Sequence, residues 1–323
     1  MRCLAAAVLA VIAALAGACA GPRGGTMAGA SAADAADGAD GADAEPPSAA
    51  VTRALADRAC PRVAAPYFYR IEKDGKVSHI LGTRHLGVSL DKLPASVVRT
   101  VRASAVAVFE IAPGEGSVAR PLVSGPPLPA QLGPALWARF RRLVGRESAR
   151  VLEHGAPSDA LIVLIALYEH KLAALDQQIE QVAREAGIPM RGLEAAAFQQ
   201  QLIIELLDLR MLRAAIEGAP DRATLERDTA EDLREFCAGT DDTPGLDDRE
   251  RAQFRRAGFS EAEIDRIDQR LIFERNVDWI PKLERIFEAG GAFVAVGADH
   301  LTGSRGVIAL LAARGYRATR LPP

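Results

Sequence analysis

Gly290-Gly291-Ala292-Phe293-Val294-Ala295-Val296-Gly297-Ala298-Asp299-His300-Leu301-Thr302-Gly303 is the stretch whose reading decides the fold. Phe293 to Val296 is a short apolar run bounded by glycines. That composition suits a strand covered on both faces, although periodicity alone also admits a piece of buried helix. Gly297 is expected to turn the backbone off the strand at φ values that a β-carbon penalises, which delivers His300 to the rim. The same pattern occurs much earlier, where Val77-Ser78-His79-Ile80-Leu81 runs into Gly82-Thr83-Arg84-His85-Leu86-Gly87. Two strands therefore end in Gly-x-x-His-Leu. In open α/β sheets the crevice outside the strands' carboxyl ends is where ligands bind, so the recurrence is read as two halves of one site.

Working outward, Tyr67 to Ile71, a Lys73-Asp74-Gly75-Lys76 turn and Val77 to Leu81 predict a hairpin, because Asp-Gly between β-rich runs is a strong turn signal. Pro94 to Ala103 reads as helix and Ala105 to Ile111 as a buried strand finishing at Glu110. Residues 113 to 133 are rich in Pro and Gly and read as loop. From 134 to 186 the pattern is a helical insert, with Ser158-Asp159 capping Ala160 to Leu175 and a further helix from Asp176 to Ala186. Pro189 to Glu194 reads as a short strand, placing Glu194 where Glu110 stands on its own strand. Arg251 to Phe273 is expected to continue helical around Gly258, Glu274-Arg275-Asn276 opens a helix carrying Trp279 and Leu283, and Tyr316 to Leu321 is a last strand. The fold class is α/β of mixed α+β character: a central, partly parallel sheet with an N-terminal hairpin, flanked by many helices.

With 323 residues, 49% of them apolar, the chain can bury a substantial core. A net charge of -3 gives no electrostatic drive toward nucleic acid, and two tryptophans and four tyrosines are few for a base-stacking platform. Residues 1–18 read as a signal peptide: a basic Arg2, an apolar core from Leu4 to Leu15, and small residues before Cys19. Cys19 in that setting resembles a bacterial lipobox, which would make the chain a membrane-anchored lipoprotein. Ala16 stands where Leu is usual, so ordinary cleavage after Ala18 or Ala20, releasing a periplasmic or secreted protein, fits as well. Residues 19–60 read as an Ala/Gly/Asp-rich tether, leaving 61–323 as a single domain. In an oxidising compartment Cys60 and Cys237 either pair or stay as buried thiols; spacing does not decide between them.

His85, His300, Glu110 and Glu194 all finish or follow short apolar strands. Imidazole nitrogen with carboxylate oxygen suits Mn, Co, Fe or Zn, and a divalent metal with an open position activates water for hydrolysis; one of the two glutamates would then serve as general base. Each residue also has a plainer role. A histidine after a strand is more often a loop hydrogen-bonder, Glu110 and Glu194 could cap helices or pair with arginines, Arg275 could be a solvated cation and Asn276 a helix cap. His79, His154 and His170 read as structural or exposed, and Gln199 to Gln201 as a polar helix face.

Taken in order, Gly82-Thr83-Arg84-His85, Glu110, Gly192-Leu193-Glu194 with its following glutamines, Glu274-Arg275-Asn276, and Val296 to Gly303 through Gly315-Tyr316 resemble the TraB/PrgY/GumN family, which includes the TIKI proteases. The resemblance covers about residues 65 to 320. It implies a fold related to the erythromycin-esterase and ChaN-like group and a divalent-metal hydrolase site: His85 and His300 as metal ligands with Glu110 or Glu194, the other carboxylate activating water, and Arg275 or Asn276 orienting a peptide or small-molecule substrate or steadying developing negative charge. The alternative it implies is a non-catalytic protein binding haem or a metal in the same crevice. Arg84 and Asp299 place charge inside the two motifs, a departure that bears on metal and substrate polarity.

Overall fold

A computed structural model describes residues 45–115, 125–169, 172, 174–240 and 245–323. The expected signal peptide, Cys19, most of the expected tether and His170 lie outside them. Six strands form one mixed sheet: β1 (Phe68–Lys73), β2 (Lys76–Thr83), β3 (Val106–Ile111), β4 (Met190–Glu194), β5 (Ala292–Gly297) and β6 (Arg317–Arg320), in the spatial order β4-β3-β5-β2-β1-β6. β4, β3, β5 and β2 run parallel, and β1 and β6 add an antiparallel margin. The predicted hairpin forms as read: Asp74 and Gly75 both take positive φ, 50° and 74°, the geometry whose twist matches that of the flanking strands.

β5 lies between β2 and β3, and every one of its residues is buried, as its unbroken apolar run requires of a parallel strand covered on both faces. The register sets Thr83 of β2 beside Gly297 and Phe109 of β3 beside Ala295. Ile111 of β3 in turn lies beside Glu194 of β4. Four neighbouring parallel strands thus end at one rim, which is where the sequence placed its polar residues.

The helices differ from their sequence reading in four places, one being the stretch read as loop over 113–133, which holds a short helix at Leu128–Leu132. Order begins before residue 61: Ala49–Ala59 is a helix capped by Ser48, whose hydroxyl accepts from Val51 N–H, and it buries Thr52, Leu55, Ala56 and Ala59. It is fastened at its end by a Cys60–Cys237 disulfide, which decides the pairing the spacing left open. Closing so long a loop restricts the unfolded chain by about 5 kcal/mol in the chain-entropy account. Within the helical insert the expected 160–175 helix begins at Pro157 and ends at Ile165; Ser158 is not its cap, because Pro takes the first helical position, where its missing N–H costs nothing. The continuous helix expected over 251–273 is instead Asp248–Arg256 and Glu261–Asp268, each opened by a capping box, with Gly258 at φ +84° between them.

One widened, π-type turn, Gln269–Phe273, then leads into the helix Glu274–Phe287. Such turns recur at functional sites because they re-aim the residues that follow. Here the turn leaves the Leu271 carbonyl to accept from Arg275 Nη1 at 2.9 Å. Among the described residues no helix is long and apolar enough to cross a membrane.

Candidate active site

His85 stands two residues past the end of β2 and is buried. Its Nδ1 lies 2.7 Å from Asp176 Oδ2, while Thr83 Oγ1 donates to the other carboxylate oxygen at 2.7 Å. A carboxylate only accepts, so Nδ1 carries the proton and the lone pair is on Nε2. Asp176 sits in the first turn of the helix Leu175–Glu185, where backbone amides and the helix dipole favour negative charge. Burial pushes the His85 imidazole down, but the charge and hydrogen bond of Asp176, with Glu110 and Asp299 behind them, outweigh it and raise it above the usual histidine range.

His300 ends the short turn Ala298–His300 that leaves β5. Its Nδ1 lies 2.6 Å from Asn276 Oδ1, and Asn276 Nδ2 donates to the Arg305 carbonyl at 3.0 Å, so the amide's oxygen faces the ring. His300 therefore donates from Nδ1 and accepts through Nε2, which meets Arg275 Nη1 at 3.1 Å. Burial first, and the Arg275 charge second, push it down to about 3. The ring is neutral at ordinary pH and lies against Trp279, centroids 4.4 Å apart.

Between the histidines lie the two glutamates and Arg275. Glu110 Oε1 accepts from Gly297 N–H at 2.8 Å and lies 3.9 Å from both His85 Nε2 and His300 Nε2. Its Oε2 accepts from Arg275 Nη2 at 2.6 Å and Gln199 Nε2 at 3.0 Å. Glu194 binds the same two groups, Arg275 through Nε and Nη2 and Gln199 Nε2 at 3.0 Å, and also accepts from Trp279 Nε1 at 3.2 Å. Burial pushes the Glu110 carboxyl up, but Arg275, the histidines and the Gly297 amide hold it well below the usual carboxylate range.

All four strand-end residues, together with Arg275 and Asn276, are brought together, but the roles shift. Arg275, 2% exposed, uses its Nε and both terminal nitrogens on Glu110, Glu194, His300 and the Leu271 carbonyl, so it holds the site rather than reaching for substrate. Asn276, wholly buried, sets the tautomer of His300 instead of capping its helix or touching a ligand. Arg84 pairs with buried Glu169, with Nη2 at 3.0 Å, so its charge is met inside the protein. Gln199 is no surface polar face; it is buried and bridges the two glutamates. Asp176, Gln199 and Trp279 escaped the sequence reading as site residues. Asp176 carried only the signal of an acid in a helix's first turn.

The expected divalent metal does not fit these donors as placed. Glu110 Oε2, both oxygens of Glu194 and Nε2 of His300 are hydrogen-bonded to Arg275, a cation already standing where a second would have to go. That leaves His85 Nε2 and Glu110 Oε1, fewer than the three protein ligands of a catalytic zinc site. Among the described residues no three His, Cys, Asp or Glu side chains are grouped to hold an ion. Haem fares no better: His300 Nε2 is engaged, and His85 Nε2 has Glu110 Oε1 3.9 Å away, which leaves no space between them for a macrocycle.

No curated protein and no solved structure matches the chain. The model of the TraB/PrgY/gumN family matches residues 67–320, from the start of β1 to the end of β6, and the chain belongs to that family.

Proposed function

We propose that this member of the TraB/PrgY/gumN family is a hydrolase acting on an acyl bond of a peptide or small molecule, with His85 as the general base and no resident metal. One observation carries the reading: His85 is held by Asp176 at Nδ1 with its Nε2 turned toward Glu110 Oε1 at the strand rim. Environments that push two titratable groups apart mark acid and base roles. His85 is raised and Glu110 is lowered. Glu110 is then the fixed negative charge, and His85 is the group that exchanges a proton.

The step runs as follows. His85 Nε2 takes a proton from water as the water oxygen bonds to the acyl carbon. Asp176 steadies the imidazolium through Nδ1, and Glu110 steadies it from the other side. When the bond to the leaving group breaks, His85 returns the proton to that group. Arg275, Glu194, Gln199 and Asn276 keep Glu110 and His300 in place. Export to an oxidising compartment is part of the proposal, and its support is the Cys60–Cys237 pair.

Asp176→Asn tests the assignment through pH. Only neutral His85 works as a base, so kcat/KM rises with pH through a His85 value above the ordinary one. Removing the Asp176 charge lowers that value, so the acid limb moves to lower pH while kcat falls by about 10²–10⁴-fold, the span of a general base's contribution. The probes are 4-nitrophenyl acetate and fluorogenic peptides. An acid limb that stays in place removes His85 from the mechanism.

A further inference from the structure

Gly82 and Gly297 hold the same place in the two Gly-x-x-His-Leu segments, yet they are glycine for different reasons. A Cβ on Gly82 would come within 2.8 Å of Tyr67 Cβ and 3.0 Å of Ala298 Cα and Leu301 Cδ1. Gly82 is therefore required by packing. Gly297 has φ -53° and ψ 138°, extended backbone that any residue adopts, so the expectation of a glycine-only turn there does not hold. The three atoms nearest a Cβ on Gly297 would be Glu110 Oε1 at 3.3 Å, His85 Nε2 at 3.4 Å and His300 Cδ2 at 3.5 Å. Backbone strain does not demand glycine, and the one tight contact, to Glu110 Oε1, asks that side chain to give by only a few tenths of an ångström. What a methyl group would take up is space beside three of the site's titratable side chains, Glu110, His85 and His300.

We propose that Gly297 is a positioning residue whose bare Cα keeps open the seat of the attacking water, between His85 Nε2 and Glu110 Oε1. This inference rests on the hydrolytic reading above. The two atoms are 3.9 Å apart, so one oxygen at ordinary hydrogen-bond length from each closes a triangle on that edge. Seated there, the water gives one hydrogen to each atom and turns its free lone pair outward, toward an acyl carbon in the crevice. As the new C–O bond forms, the hydrogen on the His85 side passes to Nε2. The bond to the leaving group then breaks, and the leaving group takes that proton back. The Gly297 N–H donates to Glu110 Oε1 at 2.8 Å, so the residue that leaves the space also fixes one of its walls.

The test compares full-length wild type, Gly297→Ala and Gly82→Ala by thermal melting, by turnover of 4-nitrophenyl acetate and by crystallography. Gly297→Ala is expected to melt within about 3 °C of wild type and to lose about 10²-fold or more in kcat with KM unchanged. A water bridging His85 Nε2 and Glu110 Oε1 is expected in wild-type crystals and not in those of the variant. Gly82→Ala, the packing control, is expected to melt lower. Gly297→Ala retaining its kcat, or wild-type crystals with no bridging water, overturns the proposal. A wild type that turns over no probe, yet holds a bridging water that the alanine displaces, sinks the hydrolytic reading and leaves the seat standing.

Discussion

Arg275→Ala lowers the unfolding free energy by about 3–5 kcal/mol, the usual cost of stripping one partner from a buried ion pair. The size follows from what the guanidinium does. It lies among two glutamates whose side chains are 7% and 6% exposed, and its removal leaves both without their cation in a poorly solvated place. Replacing both carboxylates by amides in the Arg275→Ala background, as Glu110→Gln and Glu194→Gln, recovers part of the loss, because the cost comes chiefly from uncompensated charge and less from lost volume. Urea unfolding of the four variants as a cycle measures that coupling. A loss below about 1 kcal/mol for Arg275→Ala, the range of an exposed pair, would contradict the placement of Arg275 at the centre of the site.

His85→Ala leaves the fold intact and lowers kcat by about 10²–10⁴-fold, with thermal melting and circular dichroism close to wild type. The contrast with Arg275 is the informative part. His85 makes one side-chain hydrogen bond, to Asp176, while Arg275 ties β3, β4 and the turn after β5 together. The first substitution is thus expected to separate activity from stability and the second to lower both. Turnover in His85→Ala within about threefold of wild type would remove it as the base.

Much of the site was legible because strand ends are local features. Short apolar runs with glycine or a polar residue at the finish placed His85, Glu110, Glu194 and His300, and a parallel sheet did the rest. That the glutamates pair with an arginine was among the readings offered, but which residue pairs with each member of the site was not legible. Asp176 meets His85 across 91 positions of sequence, and nothing in either neighbourhood announces it. Arg275 and Asn276 were located without their contacts, since a sequence cannot show that a guanidinium's N–H groups are all used inside the protein. Gly297 was singled out for a turn its backbone does not make: sequence records that a side chain is missing there, and only the surroundings show which groups a side chain would meet. The split of the 251–273 helix was readable after all, since Ser260-Glu261-Ala262-Glu263 is a capping box that marks a fresh helix start.

The measurement that bears most directly on the account is turnover by the full chain after exhaustive chelation, with metal content determined on the same sample. If His85 and Asp176 activate water and Arg275 supplies the only cation the glutamates need, 4-nitrophenyl acetate and peptide hydrolysis continue undiminished with metal far below one ion per chain. Hydrolysis that stops with the chelator and returns in proportion to added Mn, Co, Zn or Fe would contradict it, and would mean that Arg275 gives way to an ion in the working enzyme.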